Sequence, residues 1–223
     1  MRSIATEYPV EHGAGFARKE TAPRGVYRPR PATVEKSREI REAAGRAIAT
    51  HGLWQFNMQA LARHLNLLLP TLCYYYKRRE DVIGDIALRH MDELRSRVGL
   101  AMDELADRDP AAMLRVFARE FLLHALAERD FHRLMTLYPL LAGASRARSF
   151  RQQFEVLREI VEGRLIAHAP VLAARPELAQ MLSRALLDAL SGASCWLEPY
   201  GPVKPVEFAA MVADWVLDRA SSA

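Results

Sequence analysis

A turn at Asn66 between two short helical patterns constrains the fold of this chain more than any other feature of its sequence. Residues 58–65 follow Asn57, whose side-chain oxygen can accept a hydrogen bond from a backbone N–H at the start of a helix. Asn66 tolerates the left-handed backbone conformation that ends a helix, and Leu67 is then expected to be a buried turn residue. The stretch therefore predicts a short helix that stops at Asn66.

A second short helix is expected over residues 69–76, with Pro70 in its first turn, where a missing N–H costs nothing. Two helices that lie three or four residues apart form a helix-turn-helix, whose second helix can enter a DNA major groove. Lys77, Arg78 and Arg79 follow directly and could pair with phosphates, although a solvated charge run is the alternative.

Candidate DNA contacts lie along this second helix and at the edges of the motif. Thr71, Tyr74 and Tyr75 carry hydroxyls that can bond to the groove or the backbone, unless one tyrosine packs inside the head. Gln59 can place its amide near the DNA backbone. The complete set of predicted DNA contacts is Gln59, Leu69, Pro70, Thr71, Tyr74, Tyr75, Lys77, Arg78 and Arg79.

The charge of the chain is uneven. Residues 1–81 hold 14 Lys or Arg against 8 Asp or Glu, whereas the remainder holds 17 against 19. A basic front suggests that this part meets a polyanion, although a basic tail without a partner has the same composition. Residues 1–32 are rich in proline and have no sustained period, so we expect a disordered basic arm.

Helical spacing of apolar residues continues to the end of the chain, and no alternating stretch indicates a strand. Thr33 is expected to cap a helix that Gly52 ends, and Trp54 and Phe56 to fill the core of a three-helix head over residues 33–81.

Residues 82–223 are expected to form a larger helical body. Its first three predicted helices span residues 82–107, 110–127 and 130–138, and Asp109 is expected to cap the second of them. Another helix is expected between a loop at 142–145 and Pro170, and two apolar helices follow it. The last two helices can finish the core or pack against a second copy as a four-helix bundle. Two-fold pairing is favoured, because two heads can then span half-sites one helical turn apart.

Several short motifs occur in the head in a characteristic order. They are Gly52 after the first helix, Leu61-Ala62 in the second, Pro70-Thr71-Leu72 and three tyrosines in the third, and Arg79-Glu80-Asp81-Val82 at the fourth. In this order the chain resembles the TetR family of bacterial transcriptional regulators over residues 36–90, and beyond them in helix order and length. The resemblance implies an all-α fold with an N-terminal helix-turn-helix DNA-binding head and a helical body for ligand binding and dimerisation.

The same resemblance implies a homodimer formed through the last two helices, a palindromic double-stranded operator, and a repressor that a small-molecule effector releases. Family members bind that molecule within the body. The predicted lining is His90, Met91, Phe117, Phe121, His124, Met135, Tyr138, Phe154 and Trp196. An apolar lining with few polar groups suits a hydrophobic or aromatic ligand, although such a stripe is also typical of plain core.

Of the residues that depart from the family pattern, among them Tyr76 for Phe and Arg79 for Lys, three make the DNA-reading face unusually apolar. Leu68 and Leu69 stand where a polar cap and a polar first residue of the recognition helix are usual, and Cys73 replaces a tyrosine. Leucine cannot cap a helix and offers a base edge only an apolar contact with a thymine methyl. The alternative is therefore a helical dimeric module that binds a ligand or a protein on the same scaffold, with weak or lost DNA binding.

Motifs of other protein classes are missing from the sequence. It has no glycine-rich phosphate loop, no His-Glu-x-x-His and no Cys-x-x-Cys, and the spacing of His124 and His132 suits no short metal motif. We therefore expect no enzyme activity, metal or cofactor. No apolar run approaches the roughly 18 residues of a membrane helix, and Cys73 and Cys195 lie far apart, so a cytoplasmic protein without membrane contact is expected.

Overall fold

A computed structural model of the chain describes residues 31–104, 109–141 and 144–223, and these residues form helices and no strand. The prediction of an all-α fold is confirmed. Most of the predicted arm lies outside the described residues. The helices are α1 (Pro31–His51), α2 (Met58–His64), α3 (Leu69–Tyr75), α4 (Arg79–Asp103), α5 (Pro110–Ala127), α6 (Arg129–Leu141), α7 (Ala144–His168), α8 (Pro176–Trp196) and α9 (Pro205–Ser221), with a 3-10 turn at Pro170–Ala174.

The turns of the head follow its local sequence. The side-chain oxygen of Asn57 accepts a hydrogen bond from the backbone N–H of Ala60 at 2.9 Å and caps α2. Asn66 has a φ of 52° and ends this helix in the left-handed conformation, and Gly52 has a φ of 82° after α1. These predictions are confirmed because each depends only on residues close to it in the chain.

Two expectations about the core of the head are wrong. Trp54 is exposed, because the turn after α1 directs Leu53 and Phe56 inward and the two residues between them outward. Leu67 is half-buried rather than buried. The small core of the head is instead completed by Leu72 of α3, which is fully buried.

Two helices begin earlier than the sequence predicts. α1 begins at Pro31, so Thr33 lies inside the helix and is not its cap. Proline suits this first turn because its φ is already helical and its N–H is absent. α4 begins at Arg79, since the backbone N–H of Arg78 donates to the carboxylate of Asp81 at 3.0 Å and starts the helix there.

The bounds of the body helices differ in three further places. α4 ends at Asp103, before the predicted 107, and α6 runs to Leu141, past Pro139, because proline near the end of a helix removes only one of its last hydrogen bonds. α7 begins at Ala144, so the second half of the predicted loop is helical. The cap at Asp109 is confirmed by a bond of 3.3 Å from the N–H of Ala111.

The core of the body lies between α4, α5, α6, α7 and α8, and α9 packs along α5. Large apolar side chains of α4 and α5 fill it, among them Met91, Leu114, Phe117 and Phe121, all without exposed surface. α4 and α6 approach closely at Gly84, where a Cβ atom would lie 2.4 Å from the hydroxyl oxygen of Tyr138. None of the described helices combines the length and apolar character needed to cross a bilayer.

Candidate nucleic-acid interface and effector cavities

The second helix of the helix-turn-helix, α3, has one buried and one exposed face. Leu72 anchors it in the head core without exposed surface. Thr71 and Tyr74 lie on the opposite face and are exposed, and Leu68, one residue before the helix, is 76% exposed. Residues spaced three apart share one side of a helix, so these three side chains form a single outward surface. This surface is free to meet a groove.

The start of α3 has the apolar character that the sequence indicates. Leu68 occupies the capping position and makes no side-chain hydrogen bond to the helix. Leu69 is 36% exposed and Pro70 is exposed, whereas Cys73 and Tyr75 are half-buried. The polar groups that the side chains of α3 offer outward are therefore hydroxyls.

The basic residues after α3 divide into an outward pair and an inward residue. Lys77 and Arg78 are exposed, and the Arg78 guanidinium lies 3.9 Å from the Asp81 carboxylate. Arg79 turns inward, where it donates to the carbonyl of Phe56 at 3.3 Å and to Glu80 at 2.9 Å. Of the nine predicted DNA contacts, Tyr75 and Arg79 are half-buried. The exposed ones are Gln59, Leu69, Pro70, Thr71, Tyr74, Lys77 and Arg78.

A polar link that sequence reasoning missed joins the head to the body. The Tyr76 hydroxyl, just after α3, donates to the carboxylate of Asp85 on α4, and Arg41 of α1 donates to the same oxygen at 3.0 Å. Burial raises the pKa of Tyr76 to about 12, and the Asp85 carboxylate adds to this rise, so the tyrosine stays neutral and remains a donor. The link holds the end of α3 against both α1 and α4.

The predicted ligand-lining residues do not surround one cavity. Met91, Phe117, Phe121 and Tyr138 are packed in the core. The others lie in four separate places. His90 lines a cavity of about 370 Å³ between α1, α4 and α6, and His124 lines one of about 750 Å³ beside α4. Met135 and Phe154 line a cavity of about 290 Å³ between α6, α7 and α8, whereas Trp196 is exposed on α8.

The cavity of about 370 Å³ lies where the head meets the body. Burial, and secondarily the charge of Glu93, raise the pKa of Glu128 in its wall. At its edge α1 approaches α6 so closely that a Cβ on Gly45 would lie 2.3 Å from the Phe131 ring. Charges of both signs beside apolar surface suit a ligand with a polar group. The lining is Arg38, Arg41, Glu42, Ile86, Arg89, His90, Glu93, Glu128 and Phe131.

Three buried histidines meet behind this cavity. His90 Nε2 and His132 Nδ1 lie 3.1 Å apart, and the His124 ring stacks on His90 with centroids 4.8 Å apart. Within the described part of the chain, the Nε2 atoms of His124 and His132 are buried and have no hydrogen-bond partner. Such an orphaned group costs about 1–3 kcal/mol.

These histidines are neutral at neutral pH. Burial, with a smaller contribution from His132 and His124, lowers the pKa of His90 to about 3, and burial lowers that of His132 to about 4. The pKa of His124 is lowered as well, again mainly by burial. Among the described residues, no group of three or more His, Cys, Asp or Glu is arranged to hold a metal ion.

His132 is not among the site residues that the sequence predicts, although its spacing along α6 indicates burial. It lies three residues before Met135 and six before Tyr138, so all three share the inward side of α6. A stripe at that spacing predicts burial for each member. Burial of a histidine at that place follows from the pattern, but its pairing with His90, 42 residues away, does not.

Several solved structures with the same architecture are TetR-family transcriptional regulators. A TetR-family regulator from Bordetella parapertussis has 21% identity, a TM-score of 0.71, and coverage of 82% of this chain and 94% of that one. The TetR-family regulator PfmR from Thermus thermophilus has 21% identity, a TM-score of 0.66, and coverage of 80% and 97%. This chain has a TetR-like fold.

A third structure with this TetR-like fold is AibR in complex with isovaleryl coenzyme A and operator DNA. It has 18% identity and a TM-score of 0.61, with coverage of 82% of this chain and 97% of AibR. No family model matches the chain, and no curated protein sequence matches it significantly. The likeness to these structures is therefore one of fold.

The last two helices of this TetR-like chain expose an apolar surface. Met181 and Trp196 of α8 and Met211 and Trp215 of α9 are all more than half exposed. The Trp196 ring meets the edge of Phe208 across the two helices, with centroids 5.4 Å apart. Large exposed apolar side chains on two adjacent helices are typical of an interaction surface. We name these four residues the α8–α9 face.

Proposed function

We propose that this protein is a homodimeric transcriptional regulator that represses by binding a palindromic operator and leaves it when a small-molecule effector binds. The observation that carries the proposal is the outward surface of α3, flanked by the exposed Lys77 and Arg78. Hydroxyls and apolar groups on a helix of this size can enter a major groove while the two cations pair with phosphates. The link from Tyr76 and Arg41 to Asp85 supports the role, because it fixes how the head is presented.

Dimerisation through α8 and α9 is part of the same proposal. The four large residues of the α8–α9 face would be covered by the same face of a second copy, as in a four-helix bundle. A two-fold dimer presents two heads with one symmetry axis, which matches a palindromic operator. The apolar character of the face supports a stable pair rather than a transient one.

We propose that the effector binds where the head meets the body. The predicted residue His90 lines the cavity there, and α1 forms its other wall, so a ligand would bias the head position directly. Charged groups beside Ile86 and Phe131 favour an effector with both an apolar and a polar part. The sequence predicts a hydrophobic or aromatic effector, and this lining restricts the prediction to molecules of that class that also carry a polar group. The isovaleryl coenzyme A held by AibR has both parts.

A salt series on duplex DNA tests the phosphate contacts. We expect the logarithm of the association constant to fall linearly with the logarithm of the salt concentration, with a slope of about 0.9 for each phosphate contact. The variant Lys77→Ala/Arg78→Ala removes two cations from each head and should reduce this slope by about 4 in a dimer. Arg95→Ala is the matched control, because it removes an arginine of the body whose side chain is 43% exposed and pairs with Asp92, and its slope should equal that of the parent. Affinity of the parent that does not change with salt would reject the proposal.

A second function is favoured by one observation, the exposed Leu68 at the start of the recognition helix. It is a dimeric ligand- or protein-binding module that has lost DNA reading. The variant Leu68→Ser/Leu69→Lys/Cys73→Tyr restores the usual polar residues. If this variant binds duplex DNA strongly and the parent does not, the second function is the correct one.

A further inference from the structure

The recognition helix α3 lacks the side chains that read most bases. Its sequence, Leu-Pro-Thr-Leu-Cys-Tyr-Tyr, contains no guanidinium, ammonium, amide or carboxylate side chain. In the major groove, guanine is read by Arg or Lys, adenine by Asn or Gln, and cytosine by an acidic residue, whereas thymine offers a C5-methyl to an apolar side chain. Apart from hydroxyl contacts, the thymine methyl is the base feature that this helix can recognise.

Two leucines are placed to make that contact. Leu68 is 76% exposed and Leu69 is 36% exposed, although leucine normally packs inside a protein. Neither caps α3 with its side chain, and the helix is anchored in the head by Leu72 instead. The two leucines therefore present alkyl surface outward at the point where the helix would enter a groove.

The surroundings of the two leucines favour DNA over an apolar partner. Thr71 and Tyr74 place hydroxyls on the same side of the helix, and Lys77 and Arg78 lie exposed just beyond it. A protein partner that buries leucines would also have to desolvate these cations, whereas a duplex supplies phosphates to them. Charge complementarity therefore identifies a duplex as the occupant of this surface.

We propose that Leu68 and Leu69 read thymines by contact with their C5-methyl groups, so that the operator carries thymine where these leucines meet the groove. This inference rests on the proposed DNA-binding function. In a two-fold dimer the two leucines of each head give up to four such methyl contacts. Specificity then depends on apolar contacts, with the cations setting affinity but not sequence.

Deoxyuridine tests the proposal, because it keeps the pairing and groove acceptor of thymine and lacks only the methyl group. A duplex recovered by binding selection from a random pool is synthesised once with thymine and once with deoxyuridine. We expect binding to weaken about fourfold for each contacted methyl lost, from the transfer free energy of one methyl-sized group, and about 250-fold for four.

Protein variants separate the methyl contact from any effect of deoxyuridine on the duplex itself. Leu68→Ala/Leu69→Ala should bind the thymine duplex more weakly than the parent and should no longer distinguish it from the deoxyuridine duplex. Leu100→Ala is the matched control, since Leu100 is an exposed leucine of the body, and it should discriminate as the parent does.

The outcomes distinguish failure of thymine reading from failure of the proposed DNA-binding function. Equal affinity of the parent for the two duplexes overturns thymine reading and leaves DNA binding intact. Discrimination that persists in Leu68→Ala/Leu69→Ala overturns the assignment to these leucines. If the parent enriches no duplex from the pool, both the proposed function and the inference are wrong.

Discussion

Aspartate at both Met211 and Trp215 is expected to make the protein monomeric and to weaken its binding to a palindromic duplex by about a hundredfold. These side chains are 59% and 53% exposed on α9, and a second copy would bury them. Burying a carboxylate in an apolar interface without a partner costs several kcal/mol. A monomer binds with one head and loses the effective concentration that a linked second head supplies, which is worth about 10²–10⁴ in affinity.

Sedimentation and a duplex titration measure the two effects on one preparation. Leu100→Asp is the control, because Leu100 is 67% exposed on α4 and lies outside the α8–α9 face. It introduces one such carboxylate at an apolar position that is at least as exposed, and it should leave both mass and affinity unchanged. A Met211→Asp/Trp215→Asp variant that sediments as a dimer would show that the copies pair through another surface.

Lowering the pH from 7 to 5 is expected to reduce the free energy of unfolding by about 4 kcal/mol through His90 and His132. An unfolded histidine has a pKa of about 6.5, whereas in the folded protein burial lowers these values to about 3 and about 4. Below pH 6.5 these two histidines therefore bind protons in the unfolded state but not in the folded state. Each histidine then costs about 1.4 kcal/mol per pH unit, about 2 kcal/mol by pH 5.

Urea unfolding at a series of pH values measures this loss. The paired variant His90→Leu/His132→Leu should lose about 4 kcal/mol less between pH 7 and pH 5 than the parent. At pH 7 its stability should be close to that of the parent, because both partners of a hydrogen bond are replaced together and an orphaned nitrogen is removed. If stability falls equally steeply with pH in the variant and in the parent, these histidines become protonated in the folded protein as they do in the unfolded chain.

The local features of the head are predictable from its sequence because short-range chemistry determines them. Asn57 bonds to a residue three positions away, and Asn66 needs only its own side chain to accept a positive φ. Trp54 shows the limit of such reasoning, since a large apolar residue predicts burial but its direction depends on the turn that presents it. The presence of a helix is likewise predicted better than its exact bounds, because the bounds also depend on the turns at its ends.

The candidate site depends more on contacts between distant residues. Exposure of Thr71 and Tyr74 follows from the periodicity of α3, because Leu72 must face the core. The inward turn of Arg79 requires the carbonyl of Phe56, which is 23 residues away, and no short pattern contains it. In the body, periodicity predicts that Phe117 is buried but does not distinguish packed core from the wall of a cavity.

The most direct test of the central claim is selection of bound duplexes from a random pool by the full chain. A dimer that presents two α3 helices predicts recovery of a palindrome, with half-site centres about 10 base pairs, one helical turn, apart or a multiple of that. The recovered half-sites should be rich in thymine if Leu68 and Leu69 meet the groove. Recovery of sequences without common symmetry, or no enrichment at all, would contradict a dimeric DNA reader.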